Sequence, residues 1–254
     1  MTVVIKLGGR VQSDAALVDA LASRWASAPG SLCIVHGGGD DISALQRQLG
    51  REASFVNGRR ITTAEDIELV RMVLSGSANK RLVSRLVAAG LPAVGISGED
   101  AGLLTCEIID MEQLGRAGKP AAVNVAILKT LLDAGFLPVI SPVGRDAASE
   151  HGEALNVNGD DAAAAIAGAL NADLYLVADV DGVMAGDAEL IRTIDPDYME
   201  RLVADGTVTR GMHAKLEAGF AALAAGAASV RIAGLEALTE NDSGTVLSLT
   251  ANMK

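Results

Sequence analysis

Short apolar runs and longer segments of helical periodicity alternate along the chain. The apolar runs are rich in Val, Ile and Leu and are too short to be helices, so they predict buried strands. The segments between them repeat apolar residues every three or four positions, which indicates helices packed by one face. Strands are predicted at residues 3–7, 32–35, 93–97, 137–141, 174–177, 230–233 and 245–249. Helices are predicted at residues 13–27, 40–49, 78–89, 125–133, 162–170, 197–205 and 211–225.

This alternation of strand and helix predicts an α/β fold with a mainly parallel sheet. A further short strand at residues 103–109 is predicted in a peripheral hairpin. The length of 254 residues suits one large α/β unit or two lobes that share a sheet. The polar stretch at residues 144–152 is the best candidate for a join between lobes at residues 1–148 and 149–254.

Composition narrows the class of protein. Hydrophobic residues make up 50% of the chain and aromatic residues only 2%, so Ala, Val, Leu and Ile must build the core. A net charge of −11 disfavours nucleic-acid binding, which normally needs a basic face.

No apolar segment reaches the roughly 18 residues of a membrane span, and the N-terminus lacks a signal peptide's architecture. A cytoplasmic protein with no membrane partner is therefore expected. Cys33 and Cys106 form no CxxC or zinc motif and are predicted to be buried free thiols.

Glycines directly follow the first two predicted strands. Lys6 lies within the first strand, Gly8 and Gly9 come after it, and Gly37 and Gly38 follow the second strand. A lysine in such a run is costly to bury unpaired, so it should lie near the strand's end and meet an anion. Glycine lets backbone N–H groups approach a phosphate, and ligands of open α/β sheets bind beyond the carboxyl ends of the strands. A phosphoryl site and two ordinary turns both fit this pattern. The sequence has neither a P-loop nor a GxGxxG fingerprint.

A hairpin is predicted at residues 55–62, with its turn at Asn57 and Gly58. Arg59 and Arg60 follow the turn and are the main concentration of positive charge in the first half of the chain. One of them could hold a carboxylate through two parallel hydrogen bonds, or both could be solvated charges. The threonines at positions 62 and 63, with acidic residues at 65 and 66, predict a capping box at the next helix.

Polar residues gather before one helix of the second half. Asn156, Asn158, Asp160 and Asp161 precede it, although a helix cap needs only one such residue. The excess favours hydrogen bonding to a ligand or to catalytic lysines over a purely structural role. Lys215 lies in the first turn of another predicted helix, where the helix dipole disfavours a cation unless an anion shares the site.

Carboxylates also follow the predicted strand at residues 174–177. Asp179 and Asp181 lie where the strand ends. Carboxylates at that edge suit ribose hydroxyls or Mg²⁺, or they only form a turn.

Several motifs, in order, resemble the amino acid kinase family and, within it, the acetylglutamate kinases. They lie at residues 5–9, 35–39, 57–62, 77–80, 156–160, 179–183 and 211–215. The similarity spans nearly the whole chain, and six or more ordered motifs are far more specific than any one of them. The motif most particular to acetylglutamate kinases is NG-x-R followed by a threonine.

The resemblance implies a three-layer αβα sandwich with an open, mainly parallel sheet. It implies transfer of the ATP γ-phosphate to the γ-carboxylate of N-acetyl-L-glutamate, the second step of arginine biosynthesis. It also implies a homodimer formed through the N-terminal lobe, which would bind the acyl substrate, whereas the C-terminal lobe would bind the nucleotide. In that family an N-terminal helical extension builds an arginine-inhibited hexamer. This chain starts at its first strand, so a dimer insensitive to arginine is expected.

The resemblance also assigns roles to residues at the motif positions. Lys6 and Lys215 would stabilise the transferring phosphoryl group from opposite sides, and Asp160 would orient both lysines. Arg60 would hold the α-carboxylate of the substrate, and Asn156 would bind the same molecule. Backbone N–H groups of the glycine turns would face the phosphates and the acyl phosphate, with Gly8 and Gly9 at the nucleotide and Gly37 and Gly38 at the acyl substrate. The loop that lines the nucleotide site would comprise Asp179, Val180, Asp181, Gly182 and Val183.

Phosphoryl transfer needs in-line positioning and charge neutralisation more than a strong base. A carboxylate acceptor is already ionised at neutral pH, so no general base is required, and His36 would only shape the second glycine turn. ATP and Mg²⁺ are the expected cofactors, and no protein ligand is assigned to the metal. Two alternatives stay open. One is a kinase for aminoadipate or glutamate linked to a carrier protein, and the other is a non-catalytic nucleotide-binding module of the same fold.

Overall fold

The computed structural model describes residues 1–186, 189–208, 210–240 and 242–250. In these ranges the strands are β1 (Val3–Leu7), β2 (Leu32–His36), β3 (Phe55–Val56), β4 (Arg59–Arg60), β5 (Ala93–Ser97), β6 (Leu104–Ile108), β7 (Ala117–Val123), β8 (Leu137–Ser141), β9 (Val143–Asp146), β10 (Ala154–Val157), β11 (Asp173–Val177), β12 (Thr193–Ile194), β13 (Ser229–Ala233) and β14 (Thr245–Leu247). The α-helices are α1 (Leu17–Ser27), α2 (Gly39–Gln48), α3 (Asp66–Arg71), α4 (Asn79–Ala88), α5 (Met111–Leu114), α6 (Ala126–Asp133), α7 (Gly159–Leu170), α8 (Pro196–Ala204) and α9 (Arg210–Ala224). A π-helical segment, Met72–Ala78, joins α3 to α4, and 3₁₀ turns lie at Arg10–Ser13, Asp100–Gly102 and Leu235–Leu238.

The main sheet has eight strands within the described ranges, in the order β12-β14-β13-β11-β1-β2-β8-β5. Neighbours from β13 to β5 are parallel. The edge formed by β14 and β12 differs. β14 is antiparallel to β13, and β12 pairs in parallel with β14. The predicted open, mainly parallel sheet is therefore confirmed. β1 lies between β2 and β11, so strands from both halves of the chain flank the first strand.

Alternating side chains of β1 face two different helical layers. Val3, Ile5 and Leu7 pack into the core that includes the apolar faces of α1 and α4. Val4 packs on the opposite side of the sheet, in the core that includes α6, α7 and α9. Because side chains alternate along a strand, Lys6 lies on the same side as Val4, towards α7. Helices cover both faces, so the three αβα layers are also confirmed.

A small closed barrel of four strands, β10-β7-β6-β9, stands apart from the main sheet. The predicted strand at residues 103–109 is one of them, as β6. The interior is tight: a Cβ on Gly118 would lie 2.8 Å from Leu155 Cβ, and a Cβ on Gly144 would collide with Cys106 Sγ. The thiols of Cys33 and Cys106 are free and buried, as predicted. Burial raises the pKa of each to about 12.

The polarity of residues 144–152 predicts a loop, but the structure shows that part of this stretch is a strand. It begins within β9, turns, and returns to the antiparallel partner β10. β10 closes the barrel with three strands that precede residue 148. The division into lobes at 148 and 149 therefore remains a prediction.

The predicted hairpin is present as β3 and β4, which pair with each other in a two-stranded sheet. Its turn residues both have positive φ, 49° at Asn57 and 77° at Gly58, as a tight hairpin turn requires. After it, Thr63 Oγ1 accepts from the Asp66 N–H at 3.1 Å, and Asp66 Oδ2 accepts from the Thr63 N–H at 3.5 Å and from the Thr63 hydroxyl at 3.0 Å. This reciprocal pair is the predicted capping box.

The helix predicted at residues 13–27 is shorter in the structure. A 3₁₀ turn ends at Ser13, and Asp14 is extended, with φ −65° and ψ 135°. The Asp14 carboxylate accepts from the Ala16 N–H at 2.8 Å, so the helix starts only after this local turn. No helix within the described ranges is long and apolar enough to cross a membrane.

Candidate active site

Lys6 and Lys215 lie far apart in sequence and meet on one carboxylate, that of Asp160. Lys6 Nζ is 2.8 Å from Asp160 Oδ1. Lys215 Nζ donates to both oxygens of the same carboxylate, at 3.2 Å and 3.1 Å. The side chains of Lys6 and Asp160 are 9% and 8% exposed, and that of Lys215 is 15% exposed. Two ammonium groups thus share one shielded carboxylate, and we call these three residues the lysine–aspartate triad.

Local sequence explains how the triad is assembled. Lys6 is carried by β1 on the face that α7 covers. Asn158 Oδ1 accepts from the Asp160 N–H at 2.8 Å, so it caps α7 and fixes Asp160 in the first turn. Gly159 keeps the approach open, because a Cβ there would lie 3.2 Å from Lys6 Cε. Lys215 extends from α9, which begins at Arg210. It therefore lies in the second turn rather than the predicted first, where the helix dipole acts less on it.

Burial and mutual charge set the protonation of the triad. Burial opposes ionisation of Asp160, but Lys6 and Lys215 outweigh it and hold the pKa of this carboxyl below its usual range. Burial, and then the neighbouring Lys6 charge, lower the pKa of Lys215, against the pull of Asp160. A lysine with this balance loses its proton more readily than an exposed one unless a further anion arrives.

The two glycine turns lie side by side at the carboxyl ends of β1 and β2. The Gly8 N–H donates to Val177 O at 3.0 Å, and the Gly37 N–H donates to Leu7 O at 3.1 Å. These two groups therefore extend the sheet. Gly9 and Gly38 donate none of the described backbone hydrogen bonds outside helices and strands, so they are the better-placed donors for an anion. A Cβ on Gly38 would lie 2.6 Å from Leu74 Cδ2.

His36 supports the second glycine turn from within the core. Its Nδ1 is 2.8 Å from Gly37 O, and its Nε2 is 3.1 Å from Asn79 Nδ2. An amide nitrogen only donates, so Nε2 accepts and the proton lies on Nδ1, which donates to Gly37. Burial lowers the pKa of His36 and keeps the ring neutral. Asn79 also donates to Val139 O at 2.9 Å, which ties the turn to β8.

A pocket of about 150 Å³ opens beside the triad, between the second glycine turn, the β3–β4 hairpin and the start of α7. Arg60 lies at its wall and is buried, so the alternative of a solvated hairpin charge is wrong for this residue. Its guanidinium donates to Gln46 Oε1 at 2.6 Å, Gly39 O at 2.7 Å and Ser43 Oγ at 2.8 Å. Asn156, also on the wall, donates to Thr62 Oγ1 at 2.9 Å.

Only part of the loop after β11 lines a pocket. Asp179, Val180 and Asp181 line a pocket of about 260 Å³, and Asp179 pairs with Arg10 at 2.9 Å. Val183 instead packs in the core, and its N–H donates to Thr245 Oγ1 at 2.9 Å. The structure thus brings the first three predicted residues of this loop to the pocket, but neither Gly182 nor Val183 lines it.

The sequence pattern of the amino acid kinase family matches residues 1–234 of the chain. The chain belongs to the amino acid kinase family. It is 42% identical over 262 residues to the acetylglutamate kinase of Paracoccus denitrificans, covering 98% of this chain and 84% of that protein. It is 42% identical over 258 residues to the acetylglutamate kinase of Methanopyrus kandleri, covering 96% and 99%. The resemblance found in the sequence motifs is therefore confirmed.

Solved structures share the fold of this amino acid kinase. The protein smu.665 from Streptococcus mutans superposes with a TM-score of 0.86 at 26% identity, covering 98% of this chain and 99% of that one. Carbamate kinase from Giardia lamblia bound to AMP-PNP gives a TM-score of 0.73 at 17% identity, covering 97% of each chain. At that identity the likeness to carbamate kinase concerns the fold alone.

Sequence reasoning missed two contacts that shape this amino acid kinase site. Arg59 Nη1 lies 2.6 Å from Asp161 Oδ2, so the hairpin is joined to the first turn of α7. In the sequence, Asp161 is one of four polar residues before a helix, and no signal there pairs it with Arg59. Asn79 lies in the matched motif at residues 77–80, but its bond to His36 depends on how α4 packs against β2.

Within the described ranges no three His, Cys, Asp or Glu side chains cluster as ligands. The carboxylate of Asp160 is already engaged by two ammonium groups. The donor set therefore fits a Mg²⁺ ion that is held mainly by nucleotide phosphates, which is the usual way such ions enter kinase sites.

Proposed function

We propose that this chain transfers the γ-phosphate of ATP to the γ-carboxylate of N-acetyl-L-glutamate, yielding N-acetyl-L-glutamyl 5-phosphate in arginine biosynthesis. The observation that carries the proposal is the lysine–aspartate triad beside a small pocket with an arginine on its wall. The acetylglutamate kinases at about 42% identity support the choice of acceptor. We place the reaction in the cytoplasm, where ATP is available.

The triad suits a reaction in which negatively charged groups come together at the site. Two ammonium groups on one carboxylate leave a net positive charge, which an incoming phosphoryl group would neutralise. Phosphoryl transfer depends on positioning and charge stabilisation, and the acceptor carboxylate needs no base to remove a proton. Lys6 and Lys215 would stabilise the phosphoryl group from two sides, and Asp160 would hold both amines in place. Mg²⁺, when bound with ATP, would neutralise further phosphate charge.

Arg60 is prepared to hold the α-carboxylate of the substrate. A guanidinium has five N–H donors, and three of the hydrogen bonds of Arg60 go to Gln46, Gly39 and Ser43. These contacts fix the plane of the side chain and leave donors for a ligand. Burial lowers the pKa of Arg60, yet the group stays charged at any physiological pH. Asn156 would bind the same substrate from the opposite wall.

Nucleotide would bind along the first glycine turn and the loop after β11. In this proposal the Gly9 N–H faces its phosphates, and Gly8 holds that turn in place through its hydrogen bond to Val177 O. Asp179, Val180, Asp181, Gly182 and Val183 form the loop around the rest of the molecule, with Val183 packed beneath it. The Gly38 N–H would face the acyl phosphate, and Gly37 would hold the second turn through its hydrogen bond to Leu7 O. Residues 1–148 would then chiefly bind the acyl substrate, and residues 149–254 the nucleotide.

We also propose that the protein is a homodimer formed through its N-terminal part. β5 is an edge strand of the main sheet, and unpaired edges favour pairing with another chain. Met72 and Val87, on the helical segments that contact β5, are 56% and 52% exposed. An edge strand flanked by exposed apolar side chains fits an interface between two copies.

An ADP-release assay with a panel of acceptors tests the proposed function. We expect ATP-dependent turnover with N-acetyl-L-glutamate and little with free glutamate, aminoadipate or carbamate. Turnover that requires a carrier-linked amino acid would contradict the proposal, and so would nucleotide binding without any turnover.

A further inference from the structure

The Arg59–Asp161 ion pair lies between two pockets. The first is the pocket of about 150 Å³ assigned above to the acyl substrate. The second, of about 460 Å³, lies between the hairpin tip, β7, α7 and α9. Arg59 and Asn158 line both pockets. The two spaces are thus separated by a wall of side chains rather than by backbone alone.

This wall is held in place by charge. Arg59 Nη1 is 2.6 Å from Asp161 Oδ2, and the two side chains are 31% and 19% exposed. Such shielding makes the attraction stronger than that of a surface pair. Arg59 belongs to a hairpin whose strands have two residues each, so this contact adds a restraint the hairpin's own ladder cannot supply. Asn158 is fixed as well, because its side chain caps α7.

The position of the wall relates it to one part of the substrate. Gly159, where a Cβ would lie 3.2 Å from Lys6 Cε, places one end of the small pocket at the triad, where the acceptor carboxylate would lie in the proposed function. Arg60 occupies a second side, facing α2, and takes the α-carboxylate in the proposed function. The hairpin and β7 add Gly58, Arg59 and Ala117 to the lining of the same pocket. In the proposed function the substituent on the substrate nitrogen would extend towards Arg59, which also lines the larger pocket.

We propose that the Arg59–Asp161 ion pair determines specificity by closing the substrate pocket behind the N-acyl group, so that an acetyl group fits and longer acyl groups do not. This inference rests on the proposed function. Without the Arg59 side chain, the small pocket would open into the larger one, whose alanine-rich floor on α7 and α9 could accommodate an apolar chain. The pair acts by occupying space in a fixed position, and it takes no part in the chemical step.

The test compares kcat/KM for N-acetyl-, N-propionyl- and N-butyryl-L-glutamate in variants of the full chain. Arg59→Ala should raise the butyryl-to-acetyl ratio by at least about tenfold, the discrimination that one or two methylene groups typically provide. Arg59→Lys, which can still pair with Asp161, should keep a ratio close to wild type. Arg59→Ala/Asp161→Ala leaves no unpaired shielded carboxylate and should show the same broadened acceptance if the single variant folds poorly.

Arg71→Ala is the matched control, because Arg71 pairs with Glu99 at 2.7 Å with similar shielding and lines neither pocket. It should leave the ratio unchanged. The inference is overturned if neither Arg59→Ala nor the double variant shifts the ratio, or if Arg71→Ala shifts it equally. Failure of the wild type to phosphorylate N-acetyl-L-glutamate would instead reject the proposed function, so the two outcomes are distinguishable.

Discussion

At the scale of single residues, the candidate site holds more positive than negative charge. Lys6 and Lys215 share the one carboxylate of Asp160, all largely shielded from water. Buried charge is costly unless it is compensated, so the surplus positive charge favours the binding of an anion beside the two lysines. A kinase site needs that attraction to be strongest when the phosphoryl group is in transit.

Replacing Lys215 by alanine should remove one of the two stabilising charges without unfolding the chain. We expect kcat with N-acetyl-L-glutamate to fall by about 10²–10³, the usual cost of losing one electrostatic donor to a transition state. Steady-state kinetics and circular dichroism give the two readouts. Lys129→Ala, on an exposed position of α6, is the control and should retain full activity. Wild-type turnover in Lys215→Ala would refute its assigned role.

The difference in stability between the wild type and Asp160→Asn should depend on pH in a defined way. The folded-state pKa of Asp160 is lowered, so its contribution is fully present above the unfolded value of about 3.9 and is lost as pH falls towards the folded value. Wild type should exceed the variant in free energy of unfolding by about 3 kcal/mol at pH 7. Urea titrations should show this difference shrinking below about pH 4. A difference that persists or grows at pH 3 would contradict the argument.

At the scale of elements, close packing of β5 on α4 supports the second glycine turn. Gly95 faces α4 so tightly that a Cβ would collide with Asn79 Oδ1 and lie 2.7 Å from Lys80 Nζ. Asn79 cannot move freely, because it bonds both His36 and Val139 O. The strand, the helix and the glycine turn therefore form one rigid chain of contacts that leads to the substrate pocket.

Gly95→Ala should disturb that chain of contacts from a distance. We expect a loss of about 1–3 kcal/mol in stability from overpacking, together with a lower kcat/KM because Asn79 is displaced from His36. Denaturant titration and kinetics on the same preparation measure both effects. Gly76→Ala is the control, since a Cβ there meets nothing within 4 Å. If Gly95→Ala lost stability but kept full kcat/KM, the proposed link to the glycine turn would be wrong.

Most strands of the main sheet were predictable from sequence, whereas only β6 of the barrel was. The predicted strand at residues 137–141 matches β8 because buried parallel strands are continuous apolar runs. β7 has the sequence AGKPAAV, in which glycine, lysine and proline argue against a strand. Its Pro120 is tolerated because the pairing with β6 shifts register at that point.

The site was predictable in its residue types but not in its contacts. Lys6, Asp160 and Lys215 stand out because charge in or beside an apolar strand or a helix start demands a partner. The partners of Arg60 could not be foreseen, because Gln46 and Ser43 reach it only through the packing of α2 under the hairpin. The partition by Arg59 and Asp161 depends in the same way on tertiary approach.

At the scale of the whole molecule, the order of the sheet places the two halves of the chain around one site. β1 pairs with β2 on one side and β11 on the other, so both glycine turns and the loop after β11 meet at one edge. This is where ligands bind in open α/β sheets. β5 forms one lateral edge of this sheet within the described ranges, where we propose that a second copy binds.

Light scattering of the wild-type protein should give a molar mass equal to that of two chains. Met72→Glu would place a charge among the exposed apolar residues beside β5 and should shift the protein towards monomer. Met111→Glu, at a residue of α5 that is 54% exposed, should leave the dimer intact. A stable hexamer in the wild type, or dissociation by both substitutions alike, would count against an interface at this edge.

The central claim is that two lysines from distant parts of the chain act on one phosphoryl group across Asp160. Its most direct test is a crystal structure of the protein with AMP-PNP, Mg²⁺ and N-acetyl-L-glutamate bound together. We predict that Lys6 Nζ and Lys215 Nζ lie within hydrogen-bond distance, about 2.7–3.2 Å, of γ-phosphate oxygens, with Asp160 between the two amines. A nucleotide whose γ-phosphate lies away from both lysines would contradict the account.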